Sequence, residues 1–393
     1  MTVVPVLPLS ELANFISGGT PSKARRDFYG GPIPWITGAD IDVQGTYRAR
    51  TGISQQAIES SAAPLVDSGA LMLVTRTAVG KVAVAEGPVS FSQDITGIQP
   101  DPDHLDPYYL RYYLSSRARY LQTFARGATI KGITRNVISN LEIPLPPLEA
   151  QRHAVQQLDH ASTVRRGEKQ GRKRIESLPV ALFMEAFGDP GANPRGWPEV
   201  QLGEVATKFS DGPFGSNLKS SHYTPHGIRV VRLQNIGVEE FIDADRAYIS
   251  EDHFHLLHKH ECVAGDVLVA TLGNPNLRAC ILPDYVARAI NKADCVQVRV
   301  NEEVACADYV CALLNQPGTL ARARSIMSGQ TRTRISMGRL RALKIPLPPI
   351  ELQQRFASQL SQWRDLRSLS LRRSALLEEL VGSLQSRTFE AVR

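Results

Sequence analysis

The sequence predicts an α/β protein of mixed α+β character, in which two similar globular domains are separated by two long antiparallel helices that form a coiled-coil-like spacer. A proline-rich motif predicts the duplication, because residues 143–149 (Ile-Pro-Leu-Pro-Pro-Leu-Glu) return with one change at 345–351, 202 residues later. Each copy follows a Gly-x-Thr stretch and precedes a long, mostly polar segment with apolar residues at helical spacing. Short β-branched runs alternate with helical segments inside each half.

The similarity between the halves extends beyond this motif. Residues 69–74 match residues 265–270, and a repeat of this period is too long for a solenoid, so it indicates two domains of the same kind. Within this match the first domain has Ala70 where the second has Asp266. Because Gly-Asp is typical of a turn, we expect this difference to cause no loss of function.

Each half is expected to be a compact α/β domain with a twisted, partly open sheet. Apolar, β-branched runs bounded by Gly or Pro predict strands at residues 71–74, 81–85, 267–270 and 296–300. Tyr, Leu and Ala at helical spacing predict helices over residues 108–120 and 308–324, the second with a break at its Pro-Gly pair.

A long helix is predicted after each Pro-Pro pair. Glu149 and Glu351 then lie in the first helical turn, where a negative charge is favourable. Apolar stripes along both arms predict that the arms bury each other as an antiparallel pair. Pro179 is expected to end or kink the first arm near Leu178, which leaves about 30 unbroken residues, or roughly 45 Å. A breaker-rich linker follows at residues 189–198.

Cysteine usage and hydropathy indicate the compartment. The five cysteines all lie between Cys262 and Cys311 without a Cys-x-x-Cys pair, which makes a disulfide framework or a zinc site a poor interpretation. No apolar run approaches the ~18–20 residues that span a bilayer, and the sequence begins without a signal peptide. We therefore expect a cytoplasmic protein with reduced thiols and no membrane partner.

Basic residues are distributed unevenly along the chain. Residues 107–141 contain six of them and no acid, and residues 309–350 contain seven and no acid, whereas the net charge is only +6. The two stretches occupy equivalent places in the repeat. Solvated faces normally mix both signs, so a solely basic strip in each copy favours a polyanion, with nucleic acid as the obvious candidate. The alternative is an ordinary solvated face whose acids come from elsewhere in the fold.

Motifs that carry catalysis are absent from the sequence. Residues 127–133 lack the Gly-Lys-Ser/Thr ending of a phosphate loop, no Gly-x-Gly-x-x-Gly follows a predicted strand, and no Asn-Pro-Pro-Tyr or Asp-Pro-Pro-Tyr tetrapeptide occurs. Four clustered histidines cannot share one face of a helix or strand, so surface histidines are favoured over a metal site. They are His253, His255, His258 and His260. Trp35 and Trp197 are interpreted as core or linker anchors rather than as platforms for bases.

Three features together resemble one family. They are the duplicated Pro-Leu-Pro-Pro motif with a Gln two residues after its Glu, the Gly-x-Thr stretches at 127–134 and 329–336, and the segment 187–198 (Phe-Gly-Asp-Pro…Asn-Pro-Arg-Gly-Trp-Pro). This combination closely resembles the DNA specificity (S) subunit of Type I restriction–modification enzymes, over essentially the whole chain. The resemblance implies a first target-recognition domain (1–147), a helical spacer (148–188), a linker (189–199), a second target-recognition domain (200–349) and a second helical spacer (350–393).

The resemblance implies recognition without catalysis. Each recognition domain of such a subunit reads one half of a bipartite, asymmetric and interrupted sequence in double-stranded DNA, and the helices set the gap. Two modification (methyltransferase) subunits would bind it and methylate adenines with S-adenosylmethionine. In systems that also cleave, two restriction subunits would join and use ATP and Mg. These cofactors belong to the partners, so the resemblance implies no cofactor and no metal in this chain.

By the same resemblance, the loop around each Gly-x-Thr stretch approaches DNA. The residues expected to bind DNA there are Thr129, Lys131 and Arg135 in the first domain and Thr331, Arg332 and Arg334 in the second. Loops that flank predicted strands add Lys23, Arg76, Lys219 and Arg232. Arg and Lys supply affinity through phosphates, whereas specificity needs side chains that reach base edges. For each of these residues an ordinary exposed charge is the alternative.

Two other functions remain open at this point. The chain would be a divergent DNA-modifying enzyme if it acted alone on DNA with S-adenosylmethionine or magnesium. It would be a nucleic-acid-binding scaffold without defined sequence specificity if its binding were salt-sensitive but independent of the DNA sequence.

Overall fold

The computed structural model of the chain describes residues 4–127, 131–273, 276–327 and 333–389. The chain forms two compact units. Unit 1 contains Met1–Lys169 and Arg373–Arg393, and unit 2 contains Gln170–Arg372. Each unit therefore combines one globular domain with a segment of each of the two long helices.

Unit 1 begins with short strands and helices and leads into the first long helix. Its strands are β1 (Val6–Pro8), β2 (Ala13–Ser17), β3 (Tyr29–Ile36), β4 (Thr51–Ile53), β5 (Leu71–Val74), β6 (Val82–Val84), β7 (Ser90–Phe91), β8 (Ile95–Pro100) and β9 (Glu142–Pro144). Its helices are α1 (Leu9–Leu12), α2 (Gln55–Ser60), α3 (Pro107–Ser116), α4 (Ala118–Thr123), α5 (Arg135–Ser139) and the first part of α6 (Leu148–Phe187).

A four-stranded antiparallel sheet, in the order β2-β8-β5-β6, forms the centre of unit 1. A second sheet has the order β4-β3-β7, with β3 parallel to β7. Strand β5 is buried on both faces, because Leu71 and Leu73 pack with the tyrosines of α3 while Met72 and Val74 pack with Phe91. A continuous apolar run is expected in a strand that is covered on both sides.

Unit 2 repeats this arrangement. Its strands are β10 (Glu199–Gln201), β11 (Ala206–Ser210), β12 (Ile228–Val231), β13 (Tyr248–Ile249), β14 (Glu261–Val263), β15 (Val267–Ala270), β16 (Ala279–Ile281), β17 (Arg288–Asn291), β18 (Cys295–Val300) and β19 (Lys344–Pro346). Its helices are the end of α6, α7 (Glu251–Leu257), α8 (Ala307–Asn315), α9 (Pro317–Arg324), α10 (Met337–Arg341) and the first part of α11 (Ile350–Phe389).

The sheets of unit 2 have the orders β11-β18-β15-β16 and β13-β12-β17-β14, and β12 runs parallel to β17. The first sheet is the counterpart of β2-β8-β5-β6, so the predicted duplication is confirmed in the fold. The predicted strands correspond to β5, β6, β15 and β18. The predicted helices correspond to α3 with α4 and to α8 with α9, and the second pair breaks where Pro317 begins α9.

The duplicated proline-rich motif joins each globular domain to its long helix. Its β9 pairs with β1, and β19 pairs with β10. The glutamine that follows the motif, Gln151 or Gln353, is buried and joins the start of the long helix to the globular domain through hydrogen bonds. Gln151 accepts a hydrogen bond from the N–H of Asp106 at 2.9 Å and donates to the carbonyl of Pro146 at 2.8 Å. Gln353 repeats both contacts, with the N–H of Cys306 at 2.9 Å and the carbonyl of Pro348 at 2.7 Å.

The long helices pair antiparallel within each unit, as predicted. In unit 1, Arg373 forms an ion pair with Glu168 at 3.1 Å, and Glu378 forms one with Arg165 at 3.7 Å. From the first of these pairs to the second, the residue number increases along α11 and decreases along α6, so the two helices run antiparallel. Each helix contains 40 residues, or about 60 Å at 1.5 Å per residue.

Of the two predicted outcomes at Pro179, an end or a kink, the end is wrong, because α6 continues through Pro179 to Phe187. Proline has no N–H, so the carbonyl of Ile175 loses its helical partner. The indole Nε1–H of Trp363, on α11, donates to that carbonyl at 2.6 Å. The last turns are held by Phe187 and its neighbours in the core of unit 2. Tertiary packing and a side-chain donor thus compensate for the proline.

Asp266 has a larger role than the predicted turn. Its carboxylate is only 1% exposed, pairs with Arg299 at 2.8 Å and accepts hydrogen bonds from Gln297 and the N–H of Val263. The first domain has buried Ala70 at the equivalent position. The difference is therefore a buried polar network in one domain and an apolar core in the other.

The remaining predictions concern cysteines and tryptophans. No disulfide occurs in the described part of the chain, where all the cysteines are free. Trp35 is 9% exposed and donates to the carbonyl of Gly19, while Trp197 donates to the carbonyl of Phe187, so both are anchors as predicted. Among the described residues, no helix combines the length and the apolar character needed to cross a bilayer.

Candidate nucleic-acid interface

In the first domain, the basic segment that follows the Gly-x-Thr stretch lies against one end of the central sheet. Thr75 follows β5, and its N–H and hydroxyl both donate to the carbonyl of Asp94, at 2.8 and 3.2 Å. The carbonyl of Thr75 accepts the N–H of Ile133 at 2.9 Å. Ile133 is buried, so both a hydrogen bond and apolar contact hold the segment in place.

Backbone hydrogen bonds at this end of the sheet hold the residues that carry its cations. The backbone of Arg126 exchanges both hydrogen bonds with Gly132 at 2.9 Å, and the N–H of Thr77 donates to the carbonyl of Lys131 at 2.9 Å. A Cβ on Gly132 would lie 3.0 Å from the side chain of Arg76, so glycine allows this close approach. We call Ser17, Arg76, Arg126, Lys131 and Arg135 the first edge.

The cations of the first edge are exposed. Arg135 donates to the hydroxyl of Ser17 at 2.7 Å, which joins α5 to the end of β2. Within the described ranges, the side chains of Arg76, Arg126 and Lys131 form no ion pair. Three predicted residues, Arg76, Lys131 and Arg135, therefore lie at the same end of the sheet, and none of them forms an ion pair with another residue that the structure describes.

The second domain repeats this framework with different side chains. The N–H and hydroxyl of Thr271 donate to the carbonyl of Asp294 at 2.9 and 3.1 Å, and its own carbonyl accepts the N–H of Ile335 at 3.0 Å. Arg334 then forms a β-bridge with Leu272, where the first domain has Gly132 and Arg76.

Arg334 is held by its neighbours. Its Nε lies 2.6 Å from a carboxylate oxygen of Asp294, and its guanidinium lies over the ring of Phe214 at 5.3 Å. Close by, the Nζ of Lys292 donates to the hydroxyl of Tyr223 at 3.0 Å. We call Phe214, Tyr223, Lys292, Asp294 and Arg334 the second edge.

Burial changes the acidity of Asp211, a further carboxylate that lies beside the second edge. Desolvation raises the pKa of Asp211, and the charge of Asp294 adds to this while Arg334 opposes it. Asp211 also accepts hydrogen bonds from the N–H groups of Gly212 and Asp294, at 2.8 and 3.2 Å. This edge thus combines carboxylates, a fixed arginine and aromatic rings, all of which can recognise base edges or stack on bases.

The other predicted residues take different positions. Arg232 pairs with Asp245 at 3.0 Å and its side chain is 17% exposed. Its guanidinium also lies 5.8 Å from the ring of Tyr223, so this predicted residue borders the second edge. Lys23 and Lys219 are exposed in the loops that follow β2 and β11. Thr129, Thr331 and Arg332 lie outside the described residues.

The clustered histidines contact backbone carbonyls instead of one another's ring nitrogens. A ring nitrogen of His253 lies 3.0 Å from the carbonyl of Asn217, and one of His260 lies 2.6 Å from that of Asp211. Burial lowers the pKa of His260. Within the described part of the chain, no three His, Cys, Asp or Glu side chains converge as metal ligands would.

Sequence reasoning missed several residues of both edges. Ser17, Phe214, Lys292 and Asp294 were not predicted to bind DNA, because each becomes part of an edge only through the sheet pairing. Arg126 belongs to the basic strip of residues 107–141 but was not selected as a DNA-binding residue. One signal was present for Asp294, since Asp94 precedes the matching strand by the same interval in the first domain. An acid retained in both copies, next to a basic strip, indicates a shared local structure.

The fold and its two edges define a class of protein: one with two nucleic-acid-binding domains built on a duplicated framework. The family described as the Type I restriction modification DNA specificity domain matches residues 4–177 and 194–379. The chain belongs to this family and carries two copies of its specificity domain, so the resemblance stated from the sequence is confirmed.

Individual relatives agree with this assignment. The chain is 20% identical to the Type I restriction enzyme MjaVIII specificity subunit of Methanocaldococcus jannaschii over 392 residues, which cover 95% of this chain and 89% of that protein. It is 25% identical over 219 residues to the MjaIX specificity subunit of the same organism, and this match spans only 51% of each protein.

A solved structure shares the fold. It comes from a study of complex assembly and conformational transition of the type I R-M system, and the match covers 99% of this chain and 98% of that chain. The TM-score is 0.64 at 21% sequence identity. The predicted fold class, two similar α/β domains with a long helix between them, is therefore confirmed.

Proposed function

We propose that this chain is the non-catalytic DNA-specificity subunit of a Type I restriction–modification complex. In this proposal the first edge reads one half of a bipartite DNA target and the second edge reads the other. The observation that supports it most strongly is the shared backbone framework, in which Thr75 and Thr271 make the same hydrogen bonds beside different side chains. Equivalent positions with different chemistry are what an asymmetric target requires.

The two edges would use different chemistry on DNA. The uncompensated Arg76 and Lys131 suit phosphates, since each neutralised phosphate releases counterions and strengthens binding. Arg334 is oriented by Asp294 and by Phe214, and a fixed guanidinium can recognise guanine through two hydrogen bonds. A carboxylate such as that of Asp294 can accept a hydrogen bond from cytosine.

The proposal assigns catalysis and cofactors to partners. Two modification subunits would bind this chain and use S-adenosylmethionine to methylate adenines. Restriction subunits would supply ATP- and Mg-dependent cleavage in a system that cleaves. A cytoplasmic location follows, because the target is cellular DNA.

We further infer that the paired α6 and α11 set the gap between the half-sites. Removing one heptad from each helix should shorten the gap and leave the bases of both halves unchanged. A gap that stays the same length would refute this role.

Methylation mapping tests the function directly. The chain is co-expressed with its modification subunit in a host without adenine methylation, and every modified adenine is located. The proposal predicts a split, asymmetric motif that disappears when this chain is omitted. Methylation that is unchanged by the omission would show that target choice lies elsewhere.

A further inference from the structure

Unit 2 contains a second basic site, away from the second edge. A cleft of about 400 Å³ opens where the parallel strands β12 and β17 begin. Arg229 lines it together with Arg246 and Arg288, and Tyr248 and Tyr285 lie beside them. The second edge lies past the opposite ends of the same two strands, where Lys292 directly follows β17.

Arg229 is the most deeply buried of the three arginines that line this cleft. Its side chain is only 6% exposed, and its Nη2 lies 3.2 Å from a carboxylate oxygen of Asp243. Despite this ion pair, none of its Nε, Nη1 and Nη2 atoms makes a well-aligned hydrogen bond to an acceptor in the described part of the chain. A buried guanidinium is costly unless its N–H groups are satisfied, so its arrangement indicates an acceptor that comes from outside the chain.

The charges and rings around Arg229 specify the acceptor. Asp243 is shared, because it also binds Arg246 at 2.6 Å, so one carboxylate faces two arginines. The cleft lining as a whole has three arginines and two carboxylates, the second of which is Glu251 at the start of α7. The guanidinium of Arg229 lies 5.7 Å from the ring of Tyr248. Arg288 is paired with Glu261 at 2.9 Å, so the positive charge that faces the cleft comes from the two arginines that share Asp243. Two arginines on one carboxylate, with tyrosine rings beside them, suit a group with several anionic oxygens, such as a phosphate.

The position of the cleft suits DNA. Strand β12 has four residues, which span about 13 Å at 3.3 Å per residue, between the cleft and the second edge. The major groove is about 12 Å wide. A protein that reads bases in the groove with one end of a strand can therefore reach the backbone on its rim with the other.

We propose that this cleft holds one backbone phosphate of the DNA beside the second half-site, with Arg229 at its floor and Arg246 at its rim. The proposal rests on the DNA-reading function proposed above. It applies to unit 2 alone, because the strand position that matches Arg229 in the first domain is Pro34. The second domain would thus be anchored by a contact that the first domain lacks.

Methylphosphonate scanning of the DNA tests this site. The wild-type chain is assembled with its modification subunits, and affinity is measured for target duplexes in which one phosphate at a time is replaced by a neutral methylphosphonate. We expect about a tenfold loss at one linkage, or two adjacent ones, beside the second half-site. Arg246→Gln should bind the unmodified duplex about tenfold more weakly and show no further loss at that linkage.

Two further variants complete the test. Arg229→Met should give the same loss of coupling, and Arg246→Gln keeps the test valid if the buried substitution prevents folding, because the Arg246 side chain is 60% exposed. Arg355→Gln, an exposed arginine on α11 outside the cleft, is the matched control and should keep the wild-type profile.

Three other results would count against the proposal. If the Arg246→Gln variant loses as much affinity as the wild type when the sensitive linkage is neutralised, Arg246 does not contact that phosphate, and the cleft holds no DNA phosphate. If inorganic phosphate binds the cleft and no DNA linkage couples to Arg246, the site serves a free phosphate, and the DNA assignment is wrong. If the wild-type complex shows no preference for the split target at all, the proposed function fails and this inference fails with it.

Discussion

In the first edge, Arg76, Arg126 and Lys131 point exposed charge into solvent, whereas in the second edge Arg334 is bound to Asp294 and covered on one side by Phe214. Both edges are held by equivalent backbone hydrogen bonds, which Thr75 makes in the first domain and Thr271 makes in the second. In the proposed function, the shared framework fixes where side chains are presented, and the side chains of each edge decide what is recognised. A duplicated protein can in this way address two unlike halves of one target.

The cores differ in the same manner, and this gives the largest expected effect. Asp266→Ala should lower the free energy of unfolding by about 3 kcal/mol, because it leaves Arg299 without its partner next to a buried glutamine. Chemical denaturation followed by circular dichroism measures the change. Asp266→Asn, which keeps the shape of the side chain and loses its charge, is the control. Its free energy of unfolding should lie between those of Asp266→Ala and the wild type. Equal stability of Asp266→Ala and the wild type would show that the two cores are interchangeable.

Removing the fixed arginine should have the next largest effect. Arg334→Gln is expected to weaken target binding about 100-fold, because it removes a donor to DNA and leaves the Asp294 carboxylate without its cation. Affinity is measured with the assembled complex. Asp294→Asn combined with Arg334→Gln should recover part of the loss. If the double variant binds no better than Arg334→Gln, the ion pair does not organise this edge.

The first edge should respond through salt instead. Arg76→Gln with Lys131→Gln is expected to weaken binding about tenfold and to reduce the slope of log K against log salt by about 2, since two phosphate contacts are lost. Arg152→Gln with Lys169→Gln removes the same charge from exposed positions on α6, outside the edge and the basic strip, and should leave the slope closer to that of the wild type. If the two double variants gave identical slopes, the first edge would contribute no more to phosphate binding than other exposed cations do.

The arms provide the smallest effect. Trp363→Phe should cost about 1 kcal/mol of stability, because it removes the donor to the Ile175 carbonyl. In a Pro179→Ala background the same substitution should cost less, since residue 179 regains an N–H for that carbonyl. Denaturant unfolding of the four chains forms the cycle. If Trp363→Phe costs the same stability in both backgrounds, the indole of Trp363 does not compensate for the N–H that Pro179 lacks.

Much of the fold could be predicted because its signals are local or repeated. The central strands are continuous apolar runs, and the proline-rich motif appears twice with its clamping glutamine. The continuation of α6 through Pro179 could not be predicted from helix propensity, because Pro179 is a local stop signal that Trp363 overrides from a distant part of the chain. Only the family resemblance extended the helical spacer to residue 188. Helix propensity reflects the local effect of Pro179 and carries no information about the distant contact with Trp363.

The edges were predictable in part for the same reason. Lys131, Arg135 and Arg334 belong to basic strips that the sequence displays directly. Asp294 and Phe214 reach Arg334 only through strand pairing and loop packing. The repeated Asp94 and Asp294 positions show a shared acid, but no sequence spacing shows that Arg334 is its partner. The charge compensation of the second edge therefore became visible only in three dimensions.

The most direct test of the account is to map methylation sites for an edge variant of each domain. Arg76→Gln with Lys131→Gln, and separately Arg334→Gln, are co-expressed with the modification subunit, and the modified sequences are compared with those of the wild type. The account predicts that each variant weakens or relaxes one half of the split motif, a different half in each case, while the gap stays constant. If both variants degrade both halves equally, the two domains do not read separate halves, and the account is contradicted.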